Sequence, residues 1–150
     1  MAMPFDLRLA TPADIPACAA LLQGWLDAEE WMPRLHDLPE TAGWMRARLF
    51  PENEVIVAGQ PPAGFLALSP EGVVVQLVVA PAARGRGLGH ALIAHAKARH
   101  PGGLTLWCFE ANTPARAFYA RQGFREVART DGAGNEEGLP DILLRWGHDA

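Results

Sequence analysis

Cysteine is scarce in this chain, with only Cys18 and Cys108 among 150 residues. Two thiols so far apart form no disulfide framework, and no Cys/His spacing suits zinc or another metal. Reduced thiols in a cytoplasmic protein are the expectation. Long apolar runs are also missing. No segment approaches the roughly 18 apolar residues of a membrane span, so no membrane association is expected. The start, MAMPFDLRLA, has no basic stretch leading into an apolar one, so secretion is not expected. Positive charge is in deficit: 13 Lys and Arg stand against 17 Asp and Glu, a formal net charge of −4. That balance supplies no basic face for nucleic acid and suits a cationic partner better than a polyanionic one. Tyrosine occurs once, as Tyr119. The P-loop pattern GxxxxGK[ST] is absent. A dinucleotide fingerprint starting at Gly85-x-Gly87 fails, because its third glycine position holds His90.

What is present fits one globular domain spanning residues 1–150, with apolar residues at 49% and charged residues at 20%. No repeat or linker interrupts it. Leu7 and Leu9 alternate in a predicted strand, Phe5–Ala10. Thr11 then reads as a helix N-cap, with Pro12 first and Asp14 third in a helix reaching about Asp27. A second helix fits Pro39–Phe50. Strands follow at Glu54–Ala58, Ala63–Ser69 and Val73–Val79. A helix fits Gly87–His100, and Leu104–Phe109 reads as a strand. Thr113 and Pro114 open another helix, which Gly123 ends. Phe124–Arg129 and Leu139–Trp146 can close a hairpin across Asp131–Gly138. The order is βααβββαβαββ, a mixed α/β class.

The segment Leu77–Ala96 carries the strongest signal. An apolar strand runs through Pro81 into Arg84-Gly85-Arg86-Gly87-Leu88-Gly89, and a helix follows. Glycines let backbone N–H groups turn towards a ligand, and the helix N-terminus adds positive dipole. A diphosphate is the natural occupant. The spacing Arg84-x-x-Gly87-x-Gly89 resembles the Q/R-x-x-G-x-G/A hallmark of the GNAT superfamily of N-acetyltransferases. A second hallmark follows at Asn112-x-x-Ala115-x-x-Phe118-Tyr119, then Gly123-Phe124. The resemblance is sharpest over residues 73–130.

The resemblance implies a GNAT-like fold: a central, mixed and mostly antiparallel sheet flanked by helices. It implies acetyl-CoA as cosubstrate, no metal, and direct attack by an amine in a ternary complex. The backbone of Leu77, Val78 and Val79 would pair with the pantetheine arm, and a main-chain N–H there would face the acetyl oxygen. Arg84, Gly85, Arg86, Gly87, Leu88 and Gly89 would hold the diphosphate, and Asn112 the pantetheine arm. Tyr119 would act as general acid towards the departing thiolate. Relatives that acetylate ribosomal-protein N-termini carry Glu five residues before the asparagine, where this chain has Trp107. That departure leaves the general base open among His36, Asp27, Glu29, Glu30 and Glu110. Trp31, His36, Trp44 and Glu110 are candidates for contact with the acceptor, a small-molecule or peptide amine. Many members of the family are dimers, which leaves a homodimer open. The alternative reading is a sensor module that holds an acyl-CoA and does no chemistry.

Overall fold

The computed structural model describes residues 6–147. Phe5, at the expected start of the first strand, lies outside them. Strand β1 is short, Leu7–Leu9, and a 3-10 turn at Pro12–Asp14 leads into helix α1, Ile15–Ala28. The Asp14 carboxylate accepts from the Thr11 backbone N–H at 2.9 Å, the reciprocal half of a capping box. It also receives both arms of the Arg8 guanidinium, at 2.8 and 2.9 Å.

The second expected helix exists with an internal irregularity. Helix α2 covers Leu38–Trp44, a π-helical turn follows at Met45–Leu49, and a last turn, α3, ends at Phe50–Glu52. The turn buries both Met45 and Leu49 against α1. Strands β2 (Glu54–Ala58), β3 (Gly64–Leu68) and β4 (Val74–Val79) come next. Helix α4 is Leu88–Arg99 and β5 is Gly103–Phe109. Helix α5 is Thr113–Arg121, and β6 (Arg125–Thr130) and β7 (Asp141–Gly147) close the chain. The cap of α5 is Asn112 rather than Thr113, its side chain accepting from the Ala115 backbone N–H at 3.3 Å.

The strands form two antiparallel sheets, ordered β1-β2-β3-β4 and β5-β7-β6. Alternation along β2 and β3 feeds two cores. Val55, Val57, Phe65 and Ala67 meet Ile15, Cys18, Ala19 and Leu22 of α1. Ile56, Leu66 and Leu68 point the other way, onto Leu88, Leu92, Ile93 and Ala96 of α4. Both faces are covered, which explains why β3 is buried throughout and reads as a continuous apolar run.

The two sheets meet at one parallel bridge, Val73 with Thr105, and the Thr105 N–H donates to Gly72 O at 3.0 Å. Beyond it β4 and β5 part, and a cleft opens between them lined by residues of both strands. Among the described residues, no helix is long and apolar enough to cross a membrane.

Candidate active site

The cleft has a volume of about 1280 Å³ and runs from the glycine-rich turn, between β4 and β5, to the helical segment after α1. A drug-sized ligand pocket is roughly 300–1,000 Å³, so this cleft is larger than one small ligand needs.

At one end stands the turn before α4. Gly85 and Gly87 have φ of +75° and +87°, the left-handed region that glycine enters without strain. A Cβ built on either would meet nothing within 4 Å. Their conformation, rather than protein packing, calls for glycine, and the space beside them is open to a ligand. Gly87 also caps α4, where free N–H groups and the helix dipole favour an anion. The residues present therefore fit a diphosphate. Arg84 lines the cleft and its Nε donates to Val79 O at 3.2 Å, tying the turn to the end of β4. Arg86 is exposed and does not line the cleft.

Midway, Leu77, Val78 and Val79 of β4 face Leu106, Trp107 and Cys108 of β5 across the opening. Asn112 and Tyr119 approach from α5. Tyr119 is buried, its ring edge-on to Phe118 at 5.1 Å and to Phe124 at 5.5 Å. Its hydroxyl makes no hydrogen bond to another described residue. Burial, with a smaller contribution from nearby Cys108, pushes the phenol well above the usual tyrosine range. It is protonated at neutral pH, and the residue lines the cleft. Cys108 and Cys18 are free thiols. Burial pushes Cys108 up to about 11 and Cys18 up to about 12, so neither is a thiolate at neutral pH.

The far end is walled by Trp25, Met32 and Trp44 and carries Glu29, Glu40, Glu136 and Glu137. His36 lines it as well, its Nε2 2.5 Å from Glu136 Oε1. Glu136 raises the imidazole above its ordinary value of 6.5, and Glu40 and Glu137 add to the effect. Four further candidates from the sequence, Asp27, Glu30, Trp31 and Glu110, stand apart from the cleft lining. Trp31 packs edge-on between Trp25 and Phe109, at 5.8 and 5.7 Å. Glu110 pairs with Arg129 at 3.0 Å. Sequence reasoning missed Trp25, Cys108, Glu136 and Glu137. The last two sit in an ordinary-looking polar loop, and nothing local marks their approach to His36.

The match to the acetyltransferase (GNAT) family model covers residues 11–124. The chain belongs to this family. Its activity class is therefore acyl transfer. It is 28% identical to the peptidyl-lysine N-acetyltransferase YiaC of Escherichia coli, over 93% of this chain and 95% of that one. The solution structure of apo YjaB from Escherichia coli matches with a TM-score of 0.79 at 26% identity, covering 97% of this chain and all of that one. The fold also matches yncA of Salmonella typhimurium, solved with acetyl-CoA, at a TM-score of 0.72 and 19% identity, over 99% and 96% of the two chains.

Proposed function

We propose that the whole chain is one N-acetyltransferase domain that moves an acetyl group from acetyl-CoA to a cationic primary amine, on a small molecule or a peptide, by direct attack in a ternary complex. One observation carries the reading. A single cleft joins the glycine turn, the parted strands with Tyr119, and an end rich in carboxylates and tryptophan.

Acetyl-CoA would lay its diphosphate on the N–H groups of residues 84–89. The backbone of Leu77–Val79 would hold the pantetheine arm, with Asn112 beside it. A main-chain N–H of β4 would meet the acetyl oxygen as charge builds there. Tyr119 would supply a proton to the sulfur. A positive acceptor suits Glu29, Glu40, Glu136 and Glu137, with Trp25 and Trp44 offering ring faces. A peptidyl-lysine acceptor, as in the name of YiaC, has this chemistry: an ammonium on an apolar stem.

Thiol release from acetyl-CoA against polyamines, aminoglycosides, amino acids and Nα-blocked lysine peptides tests the proposal. Turnover with a cationic amine is the expected result. Trp107, where N-terminal acetylating relatives carry Glu, favours the sensor reading as the second choice. That reading requires tight acyl-CoA binding by calorimetry with no thiol released for any amine.

A further inference from the structure

We infer that His36 is the general base that deprotonates the acceptor amine, with Glu136 as its positioning residue and the gap between His36 and Glu40 as the seat of the ammonium. The inference rests on the acetyl-transfer reading and names the group that reading leaves open.

Three observations on geometry carry it. The first is the pair itself. His36 Nε2 lies 2.5 Å from Glu136 Oε1, a contact between residues 100 apart in sequence that joins the segment before α2 to the β6–β7 loop at the cleft wall. A carboxylate on Nε2 holds the proton there, so the neutral ring presents its lone pair on Nδ1. The second is what faces Nδ1. Glu40 Oε2 lies 4.0 Å away, too far for a hydrogen bond between them. A nitrogen placed against both would lie within hydrogen-bond reach of each, donating to a carboxylate and to an imidazole lone pair. Glu40 is held for this position, because its other oxygen, Oε1, accepts from the Asp37 N–H at 3.0 Å.

The third is the rigidity of the support. Gln23, buried on α1, donates to the His36 carbonyl at 2.9 Å. Gln23 Oε1 in turn accepts from the buried Thr41 hydroxyl at 2.5 Å. A buried polar network is fixed when its members are satisfied, and this one fixes the backbone of the ring that must be aimed. The charged groups facing His36 are Glu40 from α2 and Glu136 and Glu137 from the β6–β7 loop. From the α1 side come Asp27 and Arg34, which pair with each other at 3.6 Å. The facing set is acidic, and it raises the imidazole above 6.5, which strengthens it as a base towards an ammonium.

The step balances. One ammonium proton passes to His36 Nδ1, directly or across one water. The freed nitrogen lone pair forms the C–N bond to the acetyl carbon, and the C–S bond breaks. The thiolate takes its proton from the Tyr119 hydroxyl, the resulting phenolate regains one from solvent, and His36 returns its own proton to solvent.

The test uses an Nα-blocked lysine peptide and spermidine as acceptors, with kcat/KM measured across pH. In the wild type the rate should rise with pH through the His36 titration, above 6.5. Glu136→Gln keeps the shape and removes the charge, so the rise should move to lower pH. His36→Gln should lose the rise and about 10²–10³ of kcat/KM, and imidazole should restore part of the rate to His36→Ala. Glu40→Gln keeps an oxygen for Asp37 and should raise KM for the amine but not for acetyl-CoA. NMR titration of His36 in the protein alone gives a readout free of activity, and Glu136→Gln should move it the same way. An unmoved NMR titration overturns the pair, and an unchanged pH profile in active His36→Gln overturns the base. A protein that binds no acetyl-CoA by calorimetry overturns the acetyl-transfer reading itself and this inference with it.

Discussion

A Cβ added to Gly89 would lie 3.1 Å from two carbons of the Phe118 ring. The last glycine of the turn motif thus serves the packing of α4 on α5, bringing the two hallmark segments into contact. Phe118 is only half-buried, so its ring can give by a few tenths of an ångström. Gly89→Ala should leave stability within about 1 kcal/mol, since the gain in helix propensity offsets the crowding. Gly89→Ile should cost about 1–3 kcal/mol. Urea unfolding of both variants measures the difference.

Gly87 obeys another rule. Its φ of +87° strains any side chain, and its surroundings are open. Gly87→Val should cost about 1–3 kcal/mol of stability from the backbone alone. It should also weaken acetyl-CoA by calorimetry, because the branched side chain would project where the diphosphate is proposed to lie. Millimolar CoA should raise the melting temperature of the wild type more than that of the variant. Equal affinity in a folded variant would remove the phosphate cradle from this turn.

Tyr119→Phe deletes a hydroxyl that no described residue bonds and keeps the ring between Phe118 and Phe124. Stability should hardly change. The rate should fall by about 10²–10⁴ in kcat, with acetyl-CoA affinity preserved. A wild-type kcat would make Tyr119 a packing residue and leave solvent to protonate the thiolate.

The pairing of Asp14 with Arg8 sets an acid limit on the fold. The Arg8 guanidinium, then the Thr11 N–H, hold the Asp14 carboxyl below its ordinary 3.8, against the opposing effect of burial. A lowered folded value means that the stabilisation is present above the unfolded value and is lost as pH falls through the folded one. Asp14→Asn should therefore melt below the wild type at pH 7, and the two should converge below pH 3.8. Parallel melting curves down to pH 2 would argue against the pair as a stabilising contact.

The sequence was most legible where a pattern repeats within a few residues. Glu54–Ala58 is a strand at the bounds expected from its apolar run. The helix expected at Pro39–Phe50 is there, but propensity carries no mark of the π-helical turn at Met45–Leu49, which the packing of Met45 and Leu49 onto α1 accompanies. Thr113 and Asn112 are both good caps, and only backbone geometry selects Asn112. Arg84, Gly85, Gly87, Leu88, Gly89 and Tyr119 do line the cleft, and the two motifs that resemble the family's hallmarks pointed to them, whereas Arg86 of the same motif lies outside the lining. Glu136 was not legible, because its partner His36 lies 100 residues away. Trp31 was a fair candidate for the acceptor wall by composition, yet Trp25 and Phe109 take up its ring.

The parting of β4 from β5 also bears on how copies of this protein can meet. An unpaired strand edge invites a strand from another molecule. Here two of the four sheet edges face each other across the cleft, beyond the bridge of Val73 with Thr105. Of the outer edges, β1 is three residues long. The other, β6, bears Arg125, Glu126 and Arg129 and is broken by a bulge between Glu126 and Ala128. No long, flat, apolar edge is offered to solvent among the described residues. Growth into cross-β aggregates is thereby disfavoured, because the short β1 and the charged, bulged β6 are poor templates for a further strand.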